Sequence, residues 1–303
     1  MASDLTGLKL IAAARDKRLY VSGDGGESWT ERQPAGDADI PWRSAASNDD
    51  GSKLIVGASI GRLYTSENSG VNWTERQPAG DADKQWNSVA SNDDGSKLIA
   101  AAYGGRVWTS ENGGVNWTER QPSAAANYNW QSVASDSTGL KLAIAMFGYY
   151  IYTSGDGGEN WTERTQTLLG NQDWQTLRSD SSGNRLIAGV QTGRLYVSTN
   201  GGVGWEERQP ADDVDGDWRA LASNSAGSKL VAGNWGGRLY VSGDGGATWT
   251  EEQPVGGVNK DWLAAASNGD GSLILVAVDE ERLYIGKTVA AARPGHLMMM
   301  GIG

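Results

Sequence analysis

The stretch SGDGGESWTERQP, residues 22–34, decides how the chain is read, because it admits two opposite interpretations. An aspartate among glycines ahead of a tryptophan could be an acidic loop for a cation, or a tight turn between two strands. Its recurrence favours the turn, since a catalytic or metal loop is rarely needed several times over. The closing tryptophan returns at Trp29, Trp73, Trp117, Trp161, Trp205 and Trp249, always 44 residues apart. A second series, Trp42, Trp86, Trp130, Trp174, Trp218 and Trp262, keeps the same step. An apolar KLIAA-like segment starts near Lys9, Lys53, Lys97, Lys141, Arg185, Lys229 and Leu273, and an RLY-like segment ends at Tyr20, Tyr64, Trp108, Tyr152, Tyr196, Tyr240 and Tyr284.

A period of about 44 residues built from short strands and turns is the signature of a β-propeller. The expected fold is therefore all-β: a seven-bladed propeller of four-stranded antiparallel blades. In the second unit the strands fall at 42–48, 52–58, 61–66 and 72–78. The first carries small residues and suits the crowded centre, the second is almost continuously apolar, and the fourth is charged and ends in proline, as an outer edge should. The turn between the first two strands has Gly7, Gly51, Gly95, Gly139, Gly183, Gly227 and Gly271, which predicts a positive φ there. MASDLTGLKL at the start aligns with VASDSTGLKL at 133–142, so seven units are counted rather than six. Residues 1–290 read as a single propeller domain, and 291–303 as a C-terminal tail, disordered or assisting closure. The last unit lacks its fourth strand on this reading, because its slot at 292–298 holds ARPGHLM.

The recurrent pattern S-x-D-x-G-x-x-W resembles the Asp-box, or BNR repeat, of sialidase-like propellers. Its third position is Asp24, Asn68, Asn112, Asp156, Asn200 and Asp244. A short Asp or Asn side chain can accept hydrogen bonds from turn amides, and Asn in three copies would weaken any metal site while preserving a turn cap. No metal is expected there. The chain also looks like the propeller family that includes photosystem II assembly factors.

Composition narrows the function. The formal charge of -11 argues against nucleic-acid partners. There is no cysteine and a single histidine, His296, so nucleophilic triads have no convincing members. Sialidases are known for an Arg-Ile/Val-Pro motif and clamping arginines; the sole Arg-Pro here is Arg293-Pro294, and the arginines at 18, 62, 106, 194, 238 and 282 fill one repeat slot, with Tyr150 in the remaining copy. A non-enzyme without cofactor is expected. No apolar run approaches a membrane span and no signal-peptide pattern is visible, so no transmembrane segment is expected and the compartment stays unknown; a monomer is expected.

Binding residues are sought where the copies differ. The loop between the second and third strands carries Arg15, Ser59, Tyr103, Phe147, Gln191, Trp235 and Asp279 in one slot. Loops on a rigid scaffold commonly bind ligands. A face centred on Tyr103, Phe147 and Trp235, with Arg15 and Gln191, and with Asp37, Asp39, Asp81, Asp83, Asp213 and Asp215 around it, is the candidate site for a protein partner. A second reading is a multivalent lectin, in which Trp42, Trp86, Trp130, Trp174, Trp218 and Trp262 stack on sugar rings. A sialidase-like hydrolase is the third.

Overall fold

A computed structural model describes residues 1–14, 18–36, 39–123, 128–164, 171–212, 214–254, 256–279, 283–288 and 297–302. Among the described residues there is no helix, hence none long and apolar enough to cross a membrane. The described residues form 28 strands that pair antiparallel in successive runs of four. Trp42–Ser47, Leu54–Ala58, Leu63–Ser66 and Thr74–Arg76 make one such run, close to the segments expected. The second strand, LIVGA, is buried at every residue, whereas Thr74 and Glu75 of the outer strand are exposed. This gradient follows from covering both faces of the inner strands while leaving the last as an edge.

The first strands of the runs are Ala2–Ser3, Trp42–Ser47, Trp86–Ser91, Tyr128–Ser135, Gln172–Ser179, Trp218–Ser223 and Trp262–Ser267. Each touches the next, and Ala2–Ser3 touches both Trp42–Ser47 and Trp262–Ser267. The turns that follow them are linked by a circuit of backbone hydrogen bonds. Leu5 N–H donates to Asp49, Asp49 to Asp93, Asp93 to Ser137, Ser137 to Ser181, Ser181 to Ser225, Ser225 to Gly269 and Gly269 back to Leu5, at 2.8–3.1 Å. The turn glycines hold φ of 65–78°, as expected. At Gly139 an added Cβ would also lie 2.7 Å from Lys97 Cβ.

Apolar residues are shared between adjacent runs rather than kept within one. Ile187, Leu195 and Val197 pack with Trp218, Leu221, Leu230 and Tyr240 of the following run. Each such side chain, fully buried, contributes about 1.5–3 kcal/mol, so stacking of neighbouring sheets dominates the stability of the fold. The same packing joins the beginning of the chain to its end, where Leu10 meets Ala266, Leu273, Leu275 and Ile285.

The last run corrects the sequence reading: it has a fourth strand. Leu297–Ile302 pairs with Leu283–Thr288, and Leu283 faces Ile302 where the period would place residue 296. The strand begins beyond Pro294 and Gly295, so the residues that pair poorly are not used in the ladder.

Candidate functional site

The opening stretch folds as a turn. Ser22 Oγ accepts from Gly26 N–H at 2.8 Å, Asp24 Oδ1 accepts from Ser28 N–H at 2.9 Å, and Trp29 Nε1 donates to Gly26 O at 3.1 Å. The Asn copies do the same: Asn112 Oδ1 accepts from Asn116 N–H at 2.8 Å, and Trp117 Nε1 donates to Gly114 O at 2.9 Å. One carbonyl-type oxygen suffices for this cap, which is why Asp and Asn interchange. Where the residue is Asp, hydrogen bonds to the charged form lower its pKa to about 2: from the Ser28 side chain first at Asp24, the Asn160 backbone at Asp156, and the Thr248 side chain at Asp244. Among the described residues no group of three or more His, Cys, Asp or Glu could hold a metal ion. The turns between first and second strands are capped in the same manner, as where Lys53 N–H donates to Asn48 Oδ1 at 2.9 Å.

The two tryptophan series differ in burial. Trp42, Trp86, Trp130, Trp174, Trp218 and Trp262 are only 0–4% exposed, so none offers an open face to a sugar ring. Each stacks edge-on against the third-strand aromatic of its own run, as Trp218 does on Tyr240 at 5.9 Å. Trp218 Nε1 also donates to Gly193 O, 25 residues earlier, at 3.0 Å. These indoles therefore pin the loop of the preceding run. The turn tryptophans, apart from Trp205, are only half-buried.

That pinned loop carries the variable slot. Ser59, Tyr103, Gln191, Trp235 and Asp279 each donate their N–H to the residue just before the inner-strand tryptophan of the same run, at Pro41, Gln85, Asp173, Asp217 and Asp261, over 2.6–3.0 Å. Tyr103 and Phe147 additionally pair across to the next run, opposite Asn129 and Asp173. Unlike side chains thus stand on like backbones. Tyr103 is 41% exposed, Tyr149 45%, and Phe147, Gln191 and Trp235 are half-buried. No ring contact joins Tyr103, Phe147 and Trp235 to one another among the described residues; an aromatic group forms instead where Tyr128 meets Tyr149 at 5.7 Å. Arg15, Asp37, Asp213, Arg282, Arg293 and His296 lie outside the described residues.

A further set of residues on this face was not singled out from the sequence. In W-x-S and its variants the middle position reads Arg43, Asn87, Gln131, Gln175, Arg219 and Leu263. The register shifts there in each of the six runs that carry this tryptophan, as between Trp174 and Thr176, and such a bulge re-aims the unpaired side chain. Gln85 Nε2 donates to Asn87 Oδ1 at 3.1 Å, Asn87 Nδ2 to Gln131 Oε1 at 2.9 Å, Gln131 Nε2 to Gln175 Oε1 at 2.9 Å, and Gln175 Nε2 to Gln191 Oε1 at 2.9 Å. This amide chain crosses three runs and polarises in one direction. In the next run Arg219 lies 4.2 Å from the Trp235 ring centroid while its Nε and a terminal nitrogen bond Asp217 Oδ2 at 3.0 and 2.7 Å. The signal in the sequence is a changing, mostly polar residue between a constant tryptophan and a small residue.

The acidic residues around the face are paired with the periodic arginines. Arg62 meets Asp81 at 2.7 Å and Asp83 at 3.1 Å, Arg18 meets Asp39 at 2.8 Å, and Arg194 meets Asp215 at 2.8 Å. Those carboxylates are exposed, Asp81 to 92% of its side chain, so each pair contributes little, about 0–1 kcal/mol.

No family model and no curated protein matches the sequence. Solved structures match in fold. A structure of YCF48 bound to a D1 peptide aligns with a TM-score of 0.73 at 16% identity, over 95% of this chain and 90% of that one. YCF48 from Cyanidioschyzon merolae gives 0.71 at 15%, over 93% and 92%. The GH74 enzyme of Niastella koreensis gives 0.75 at 15%, over 98% of this chain and 52% of that one. The fold is that of a β-propeller, with four-stranded antiparallel sheets stacked through their faces.

Proposed function

We propose that this chain is a seven-bladed propeller with Asp-box turns, acting as a monomer and without catalysis to hold a protein partner on its variable loop face. The observation that carries the reading is the mounting of that face: Tyr103, Gln191 and Trp235 differ in chemistry yet share one backbone hydrogen bond to the inner strand. Binding surfaces built on fixed loops lose little entropy on association. The exposed Tyr103 and Tyr149, with Trp235 stacked on Arg219, are residue types enriched at protein interfaces. A propeller of similar fold is known with a peptide bound, which supports a protein partner.

The circuit of hydrogen bonds that leaves and returns to Leu5 supports closure with seven units, in a domain of residues 1–290. The pairing of Leu297–Ile302 with Leu283–Thr288 supports a part for the tail, 291–303, in the last blade.

Affinity capture from the source cell, with the retained protein then purified and rebound, tests the proposal. Wild-type chain and Val203→Ala, on the turn end, should retain the same protein; Trp235→Ala should lose it. Binding to a glycan array competed by free sugar, or turnover of an oligosaccharide substrate, would overturn the reading in favour of a lectin or a hydrolase.

A further inference from the structure

The amides that link Gln85 to Gln191 do not close on themselves. A primary carboxamide carries two N–H donors and an oxygen with two lone pairs. Asn87 spends both donors, on Trp130 O at 3.2 Å and on Gln131, and is 7% exposed. Gln131 and Gln175 spend one donor and one lone pair each, and both are half-buried. Gln85 gives one N–H to Asn87, while Gln191 only accepts. Among the described residues these four glutamine side chains form no other hydrogen bond, so donors and acceptors are left side by side along the row.

The row coincides with a change in the sheets that carry it. Tyr103 and Gly105 pair with Asn129 and Tyr128, and Phe147 and Tyr149 with Asp173 and Gln172, which joins three runs into one twelve-stranded sheet. The other runs are separate four-stranded sheets. The amides follow the joined sector and end with it, at Gln191. Beside Gln191, Thr192 holds φ of +50° where Gly104, Gly148 and Gly236 stand at +62 to +76° in the sister loops. A β-branched residue in that region is strained, and strain persists only where the surroundings fix the backbone. In neither variable slot do these runs place a charge: the loop slot reads Tyr103, Phe147 and Gln191, and the bulge slot Asn87, Gln131 and Gln175. On either side the bulge slot turns to arginine, at Arg43 and Arg219.

A row of this kind suits main chain. In an extended strand the N–H and C=O of one residue point to the same side, and the residue two places on repeats the presentation. A carboxamide with one spare donor and one spare lone pair can bond both groups of such a residue. Sugar hydroxyls also bond amides, but a sugar ring stacks on an open aromatic face, and Tyr128 lies edge-on to Trp130 and to Tyr149, at 5.7 Å in both pairs. We propose that the partner enters this sector as an extended, uncharged stretch of its chain, read through its backbone by Gln131 and Gln175. The proposal rests on the reading of the loop face as a protein-binding surface, and names the part of that face and the part of the partner that meet.

Selection of phage-displayed random linear peptides on the immobilised full chain provides the probe, and the selected peptide is synthesised and titrated by calorimetry. Gln131→Leu and Gln175→Leu bring in the residue that the last run already carries at Leu263, so both should unfold at the wild-type temperature. Each should bind the peptide at least tenfold more weakly, the size of one well-made hydrogen bond. Methylating the peptide's backbone nitrogens one at a time should cost as much at alternate positions, and removing any one side chain should cost less. Adding about 1 M salt, which screens charges beyond roughly 3 Å, should change little. Acidic selected peptides that ignore both glutamines, a larger loss from side-chain removal than from methylation, failure to select any peptide, or a neutral oligosaccharide bound saturably by wild type and lost in Gln131→Leu would each overturn the inference. A protein captured alike by wild type and Gln131→Leu but lost on Trp235→Ala would overturn it and leave the protein-binding reading standing.

Discussion

The two ends of this propeller are built from the same chain period and differ in what the period is allowed to vary. At the turn end, every copy of the hairpin repeats the same hydrogen bonds, so that Gly26, Gly114 and Gly158 all donate to the serine four residues earlier at 2.8–2.9 Å. At the loop end the backbone bond is repeated but the side chains run from Ser59 to Trp235. Repetition of side chains marks structure; repetition of backbone under changing side chains marks a mount. The tryptophans show that the distinction must be made atom by atom, because the inner series opens at the loop end yet is sealed inside it.

The comparison can be broken most severely at its two kinds of tryptophan. Trp218→Ala removes a side chain 1% exposed together with its bond to Gly193 O, and should cost about 3–5 kcal/mol. Trp235→Ala at the half-buried loop position should cost under about 1 kcal/mol while abolishing partner capture. Denaturant unfolding followed by intrinsic fluorescence separates the two; equal losses would erase the difference between scaffold and face. Next in size, Gly139→Ala places a Cβ on a φ of +70° and against Lys97, and should cost about 1–3 kcal/mol. Its expected signature is a lower unfolding midpoint with unchanged binding.

A smaller effect contrasts the turn copies themselves. Asp24, Asp156 and Asp244 titrate near 2 in the folded chain against the usual 3.8, so they favour folding above the unfolded value and lose that contribution as pH falls from about 4 toward 2. Asn68, Asn112 and Asn200 have no such dependence. Replacing the three aspartates with asparagine should flatten the acid limb of the stability profile by slightly lowering stability above about pH 4, the effect being small because these turns are solvent-exposed. Smallest of all, Asp93 is held above the usual carboxylate range by burial and then by Asp49 and other neighbours, which destabilises the folded chain at neutral pH. Asp93→Ser, the residue at 137, 181 and 225, should therefore raise stability at pH 7 only slightly, Asp93 being solvent-exposed, and the gain should shrink as pH falls.

Much of the fold is legible in the sequence because it is written several times over. The 44-residue step, the positive φ of the turn glycines and the interchange of Asp with Asn all follow from local chemistry that each copy repeats. What escapes is decided between copies. The burial of Trp218 depends on Gly193 in another run, and the chain of amides from Gln85 to Gln191 depends on a bulge that sequence alternation does not reveal. The last strand was missed because its ladder departs from the period by the length of an insertion.

The division between mount and occupant is tested most directly by erasing the occupants. A chain in which Tyr103, Phe147, Gln191 and Trp235 are all replaced by Ser, the residue already present at 59, should unfold cooperatively within a few degrees of wild type and no longer retain the partner protein, as read by calorimetry and rebinding together. Retention of the partner by that chain, or loss of cooperative unfolding, would contradict the account.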